Sequence, residues 1–251
     1  MSGHSKWSTI KRKKGAKDAQ RSKIWSRLIR EITVAARLGG GDPDANTRLR
    51  AAVTAGRAAN MPHDNIEKAI KRGTGEIEGA VYEEIAYEGY GPGGVALLVE
   101  TQTDNKNRTA AEVRHVFTKY SGKLGGSGCV SYLFARKGMI VLAADRCDLD
   151  TAMDVAVEAG AEDVVDEEDS IVITTSMENL HTVNQALVKA GLPVISAELT
   201  MVPQTTVKVS GKEAESLLKL INQLDDLDDV SSVSANFDID DEELAVLQEN
   251  L

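Results

Sequence analysis

The string GYGPGG, with Gly89, Gly91 and Gly94, has the G-x-G-x-x-G spacing that cradles a dinucleotide pyrophosphate. That chemistry needs a helix to open directly after the glycines, so that its N-terminal amides face the phosphates. Here Pro92 interrupts the string and VALLVE follows, a run suited to a strand, so a hairpin turn is the expectation. GKLGGSG, residues 122–128, lacks the Lys-Ser/Thr ending of a phosphate-binding loop and is expected to be a flexible connection before a strand. His4, His63, His115 and His181 fall in different segments with no metal-ligand spacing. Asp238, Asp240, Glu242 and Glu249 occupy positions 1, 3, 5 and 12 of a calcium loop, but Glu243 stands where the sharp turn requires glycine, and EELAVLQENL has the pattern of a helix. Cys129 and Cys147 form no C-x-x-C pair and are expected to be reduced, buried thiols. No serine or cysteine sits in a local nucleophile motif. The expectation is a non-enzymatic chain without catalytic residues, metal, cofactor or small-molecule substrate.

Charge is the stronger signal. The 251 residues carry 29 Lys/Arg and 39 Asp/Glu, net −10, yet residues 1–75 hold 17 Lys/Arg against 6 acids, leaving 12 against 33 for the rest. A basic head on an acidic body points to a phosphate-bearing partner. Lys6, Lys11, Arg12, Lys13, Lys14, Lys17, Arg21, Lys23, Arg27, Arg30 and Arg37 face only Asp18 and Glu31 within the first 37 residues. Residues 1–17 have too little apolar content to offset the entropy of ordering and are expected to form a mobile basic arm. Using about six of these charges on duplex would give a log–log salt slope near −5. Trp7 lies among the cations with no apolar period around it and is placed to stack on an unpaired base. The predicted nucleic-acid-binding set is therefore Lys6, Trp7, Lys11, Arg12, Lys13, Lys14, Lys17, Arg21, Lys23, Arg27 and Arg30. Trp25, on an apolar stripe with Ile29, belongs to a core. The runs DDLDD at 225–229 and DIDDEE at 238–243 have the look of solvated acidic faces.

These residues need elements to hold them. From Asp18 the apolar spacing of Ile24, Leu28, Ile32 and Ala36 predicts a helix stopped by Gly39–Gly41. A second is expected after Asp42-Pro43-Asp44, and a third from Pro62 to Gly73. Arg57, Lys68, Lys71 and Arg72 are available for a helix-turn-helix, but the N-terminal end of the third helix carries His63, Asp64 and Glu67, where a reading helix would meet phosphates. The period then becomes alternating: strands at 82–88 and 95–103, a helix at 106–120 and a strand at 129–134. Residues 138–199 follow the order βαββαβ, the ferredoxin-like pattern. A strand at 205–209, a helix at 211–224 and a strand at 230–236 remain without a partner of their own.

The predicted fold is α+β: an N-terminal three-helix bundle followed by two ferredoxin-like α+β domains, the last inserted into the middle one. The predicted boundaries are a basic arm at 1–17, the bundle at 18–78, a discontinuous domain at 79–135 plus 203–251, and the insert at 136–202. No secretory signal or membrane-spanning run is visible, so a cytoplasmic protein with no membrane partner is expected.

GHSKW at 3–7, KGAKDAQRSKIWSRLIREI at 14–32, PHDNIEKAIKRGTG at 62–75, GYGPGGVALLVE at 89–100, TDNKNRT at 103–109 and GGSGCVSYLF at 125–134 occur in the order found in the YebC family, which the chain closely resembles along nearly its whole length. Relatives of that family include the mitochondrial translational activator of cytochrome c oxidase. The resemblance implies a three-domain monomer and a cytoplasmic regulator of gene expression. Two roles go with it: DNA-binding transcriptional regulation, placed first, and assistance of translation on the ribosome at stretches such as consecutive prolines, through ribosomal RNA. It carries over no catalytic residues. For the ribosomal role TDNKNRT is a second candidate contact, with Asp104 or Asn105 capping the next helix and Lys106 and Arg108 presenting charge near its N-terminus.

Overall fold

The computed structural model describes residues 18–167 and 170–249, which fall into two compact bodies, residues 18–129 with 211–233 and residues 130–210 with 234–249. The first body begins with three helices, α1 (Asp18–Gly39), α2 (Thr47–Ala58) and α3 (His63–Thr74). Ile32, Ala35 and Ala36 of α1 meet Leu49, Ala52 and Val53 of α2 and Ile66 and Ala69 of α3 in one buried cluster. Trp25 packs against that cluster and its Nε1 donates to the Ala59 carbonyl at 3.0 Å, in keeping with its place on the apolar stripe.

The joint between α1 and α2 rests on one side chain. Asn46 Nδ2 donates to the carbonyls of Ala35 (2.8 Å) and Gly40 (2.9 Å), while its Oδ1 accepts from Leu49 N–H at 3.0 Å. It therefore satisfies orphan groups at the end of one helix and the start of the next. The expected start at Asp42-Pro43-Asp44 is instead a turn in which Asp42 Oδ1 accepts from Asp44 N–H, and α2 begins at Thr47. Gly73 does not end α3; the left-handed Gly75 (φ 82°) does. A Cβ on Gly73 would collide with the backbone of α1, so this glycine serves helix–helix contact.

A four-stranded sheet follows. Strands β1 (Glu83–Tyr90) and β2 (Ala96–Thr103) pair antiparallel through a turn at Pro92–Gly94, where Gly93 has φ 71°, so GYGPGG is a hairpin. Next come α4 (Lys106–Lys119) and the short edge strand β3 (Lys123–Leu124), which pairs with β1. Helix α7 (Gly211–Asp226) and strand β9 (Val230–Ala235) come from the far end of the chain, and β9 takes the place beside β2. Val113 and Phe117 of α4 and Leu217, Leu218 and Ile221 of α7 are buried with β2.

The second body contains β4 (Phe134–Ala143), α5 (Leu149–Glu158), β5 (Ala161–Glu167), β6 (Ser170–Thr175), α6 (Leu180–Lys189) and β7 (Val194–Pro203). Its sheet has the order β5-β6-β4-β7 with every pair antiparallel, which is the ferredoxin-like arrangement. Ile140, Leu142, Ile171 and Ile173 pack under Ala152, Ala156, Val183 and Leu187 of the two helices. Two strand expectations differ from the structure. Residues 129–133 are turn and 3-10 backbone ahead of β4, and the third strand of the first sheet is β3, inside the glycine-rich string. The strand expected at 205–209 shortens to β8 (Val207–Lys208), which pairs in parallel with β10 (Phe237–Asp238) rather than joining a larger sheet; α8 (Asp241–Glu249) follows. Cys129 and Cys147 are both half-buried free thiols, and burial pushes each upward from its ordinary pKa. The expectation that they are fully buried is corrected to this extent.

Replacing Asn46 by Ala should lower stability by about 1–3 kcal/mol, since it removes a cap and strands two carbonyls. Asn46→Asp retains the acceptor for Leu49 but sets a carboxylate against the Ala35 and Gly40 oxygens. Urea midpoints should fall for both variants, and a wild-type midpoint for Asn46→Asp would show that the two donated bonds contribute nothing.

Candidate nucleic-acid interface

Of the predicted set, Lys6, Trp7, Lys11, Arg12, Lys13, Lys14 and Lys17 lie outside the described residues, as does the side chain of Arg21 in the first turn of α1. Lys23, Arg27 and Arg30 are described, and their spacing puts all three on one face of α1. That face meets the acidic run at the end of α7. Lys23 Nζ lies 2.8 Å from Asp226 Oδ1, Arg27 Nη2 3.1 Å from Asp225 Oδ1, and Arg30 Nη1 3.2 Å from Asp229 Oδ1. Arg27 also donates to the Asp225 carbonyl. The structure thus brings these three cations together, and each is matched by an aspartate of the same chain.

Asp229 is the centre of this arrangement. Its side chain is 6 % exposed, and Oδ2 accepts from Arg108 Nη2 (2.7 Å), Thr109 Oγ1 (2.7 Å) and Thr103 Oγ1 (3.1 Å) while Oδ1 faces Arg30. Its backbone carbonyl accepts from Gln102 N–H at 2.8 Å. Burial alone would raise its pKa, but the bonds from Arg108, Thr109, Thr103 and Arg30 together outweigh that and hold it below the ordinary aspartate value. DDLDD is therefore no uniform solvated face: Asp225 and Asp229 are largely covered, and only Asp226 of the three paired aspartates stays mostly open. The run's partner on α1 is about 200 residues away in the chain, which is why its role is invisible in local pattern.

The second candidate contact is also engaged internally. Lys106 Nζ lies 2.6 Å from Glu83 Oε2, and Arg108 bridges Asp104 (2.8 Å) and Asp229. Asn105, not Asp104, caps α4, its Oδ1 accepting from Arg108 N–H at 3.1 Å. Beside it a further network joins the bundle to the sheet: Arg48 contacts Glu31 (2.7 Å) and Glu84 (2.5 Å), and Gln102 donates to Glu31 at 2.5 Å. Both carboxylates hold the Arg48 guanidinium far above its usual range.

On α3, His63 and Glu67 lie 3.6 Å apart across the first turn beside Asp64, while Lys68, Lys71 and Arg72 are exposed toward its other end. A hollow of about 250 Å³ beside α2, lined by Pro43, Asp44, Arg50, Val53, Thr54 and Arg57, is smaller than a usual ligand pocket. Among the described residues no group of His, Cys, Asp or Glu is arranged to hold a metal ion, and no helix is long and apolar enough to cross a membrane.

Asp229 gives a pH-dependent prediction. A carboxylate whose folded pKa lies below its unfolded value of about 3.9 stabilises the fold above that value and loses the contribution as pH falls through the folded one. Asp229→Asn should therefore be less stable than wild type at neutral pH, and the difference should shrink below about pH 4. Asp229→Ala should cost about 3–5 kcal/mol at neutral pH, because it leaves Arg30 without its acid. Urea midpoints across pH measure both, and a gap between wild type and Asp229→Asn that is constant across pH would contradict the assignment.

Two family models cover the chain. The TACO1/YebC protein N-terminal domain matches residues 5–76, and the TACO1/YebC second and third domain matches residues 82–237. A probable transcriptional regulatory protein of Geobacter sulfurreducens is 59 % identical over 98 % of this chain and all of its own length. One of Acidithiobacillus ferrooxidans is 59 % identical over 99 % of each. The crystal structure of a conserved hypothetical protein from Aquifex aeolicus superposes with a TM-score of 0.85 at 52 % identity, covering 90 % of this chain and 94 % of that one. With bundle, split sheet and ferredoxin-like body all accounted for, the chain belongs to the TACO1/YebC family.

Proposed function

We propose that this protein is a non-enzymatic, nucleic-acid-binding regulator of gene expression that works in the cytoplasm as a monomer and engages phosphates with its basic arm. The observation that carries the reading is the distribution of charge along the first 37 residues. Residues 1–17 contain six Lys/Arg and no acid, whereas Lys23, Arg27 and Arg30 are each matched by an aspartate. Cations Lys6, Lys11, Arg12, Lys13, Lys14 and Lys17 are the set assigned to release counterions from a polyanion, with Trp7 among them to stack on a base. Names borne by relatives, "probable transcriptional regulatory protein", favour DNA and transcription as the first form of this reading.

A second form, a translation factor that binds ribosomal RNA, is favoured by the charge order of α3. Its first turn carries Asp64 and the His63–Glu67 pair, and a helix that enters a major groove presents that end to the bases and phosphates. A chain that holds nucleic acid by backbone and stacked base suits the crevices of a folded RNA.

Neutralising Lys11, Arg12, Lys13 and Lys14 to Ala should weaken binding and reduce the log–log salt slope by roughly three to four, as about one counterion is lost per contact. Fluorescence anisotropy of the full chain over a salt series checks this; an unchanged slope would remove the arm from the interface. Crosslinking in lysate at near-physiological salt, followed by sequencing, separates the two forms: discrete promoter DNA supports transcription, and one clustered ribosomal RNA site supports translation.

A further inference from the structure

From Val113 to Ala144 the chain runs for 32 residues without one Asp or Glu, although residues 76–251 as a whole hold 33 acids. The same interval carries Arg114, Lys119, Lys123, Arg136 and Lys137. Of the three cations that fall in the first body, Arg114 and Lys119 are exposed at the C-terminal half of α4, and Lys123 is exposed on the edge strand β3. Each is without an ion-pair partner among the described residues, while Lys106 and Arg108 at the other end of α4 are fully engaged.

Beside Lys123 stand a half-exposed aromatic ring and an open piece of backbone. Tyr90, 39 % exposed, is the cross-strand neighbour of Lys123, and its hydroxyl donates to the Cys129 carbonyl at 3.0 Å, which fixes the ring at the foot of the glycine-rich loop. That loop is pinned from below by Glu88, whose carbonyl accepts from Gly125 N–H and whose buried carboxylate accepts from Gly128 N–H, both at 2.7 Å. Two of its glycines are explained by the fold. A Cβ on Gly125 would collide with the Cys129 sulfur, and Gly128 has φ 84°. Gly126 is different: its φ is one any residue adopts, and nothing lies within 4 Å of where a Cβ would stand. A glycine that neither backbone nor packing requires fits a position that a ligand approaches closely.

We infer that Lys119, Lys123, Tyr90 and the backbone at Gly126–Ser127 form a second nucleic-acid contact, one that takes an unpaired strand, with a base on the Tyr90 ring and phosphates along the lysines. The ring supplies a stacking platform that any base can use, and the cations follow the backbone that leads to it. Two acids of the neighbouring elements are already committed. Glu88 lies beneath the loop, and on α7, which packs on α4 through Ser216 and the Tyr120 carbonyl, Glu215 is held by Lys219 at 2.5 Å. This inference rests on the nucleic-acid reading above and names a surface of its own.

The test uses the full chain and a short fluorescein-labelled oligouridine, with the matching single-stranded DNA and a duplex as further arms. Lys119→Ala with Lys123→Ala, and separately Gly126→Glu, should each lower affinity for the single strands by about tenfold while leaving the thermal midpoint within error of wild type. Tyr90→Leu should do the same, and Tyr90→Phe should retain binding. A photo-crosslinkable uridine in the probe should mark peptides containing Tyr90 or residues 119–127. If the probe marks only residues 1–17 and all these variants bind as wild type does, this surface is excluded while nucleic-acid binding through the arm stands. If wild type itself binds none of the three probes, both readings fall. Loss of duplex binding as large as that of single strands would overturn the assignment to an unpaired strand.

Discussion

A carboxylate that is almost wholly covered must be met by donors on every side, and Asp229 is met by four. Arg30 comes from α1, Thr103 from the end of β2, and Arg108 and Thr109 from the first turn of α4. Of these elements one belongs to the bundle and two to the split-sheet domain, and the acid itself stands just before β9. Removing any single donor leaves the charge partly served, whereas removing the acid leaves the largely covered Arg30 guanidinium without its ion-pair partner and Arg108 with Asp104 alone. The pairing of Lys23 and Arg27 with Asp226 and Asp225 extends the same seam toward solvent. The bundle is therefore held to the sheet by ion pairs and hydrogen bonds at Asp229, at Asp225 and Asp226, and at Arg48.

That seam changes how the basic head is understood. Counted by residue type, the first 37 positions are a uniform field of positive charge. Counted by partner, Lys23, Arg27 and Arg30 stand apart, because their aspartates lie some 200 residues downstream. A charge total cannot make that division, because an ion pair between distant segments is a property of the fold.

Much of the architecture was legible because period and order are local signals. The apolar spacing of Ile32, Ala36, Leu49 and Ile66 marks three helices, and the βαββαβ succession after Phe134 names its own sheet. What escaped was short or distant. Two residues of β3 are too few to show an alternating pattern and sit among glycines that suggest a loop. Asn46 was hidden behind Asp42-Pro43-Asp44, a stronger-looking start signal that is spent on a turn of its own. In the candidate interface, Lys23, Arg27 and Arg30 were visible as a helical stripe, but Asp229 was not visible as their counterpart. Gly126 also looked like its neighbours, and only the backbone angle and the space at each glycine separate the one the fold does not need from those it does.

The position of β9 bears on how the chain is made. Strand β2, with Leu97, Leu98 and Val99 fully covered in the finished sheet, leaves the ribosome about 130 residues before the strand that pairs with its outer edge. At roughly 5–20 residues per second that edge waits on the order of ten seconds. During the interval the ferredoxin-like segment is synthesised whole, with every strand of its own sheet in hand. Vectorial synthesis thus favours completion of the β5-β6-β4-β7 sheet first, and leaves the older sheet open-edged until α7 and β9 arrive to close it.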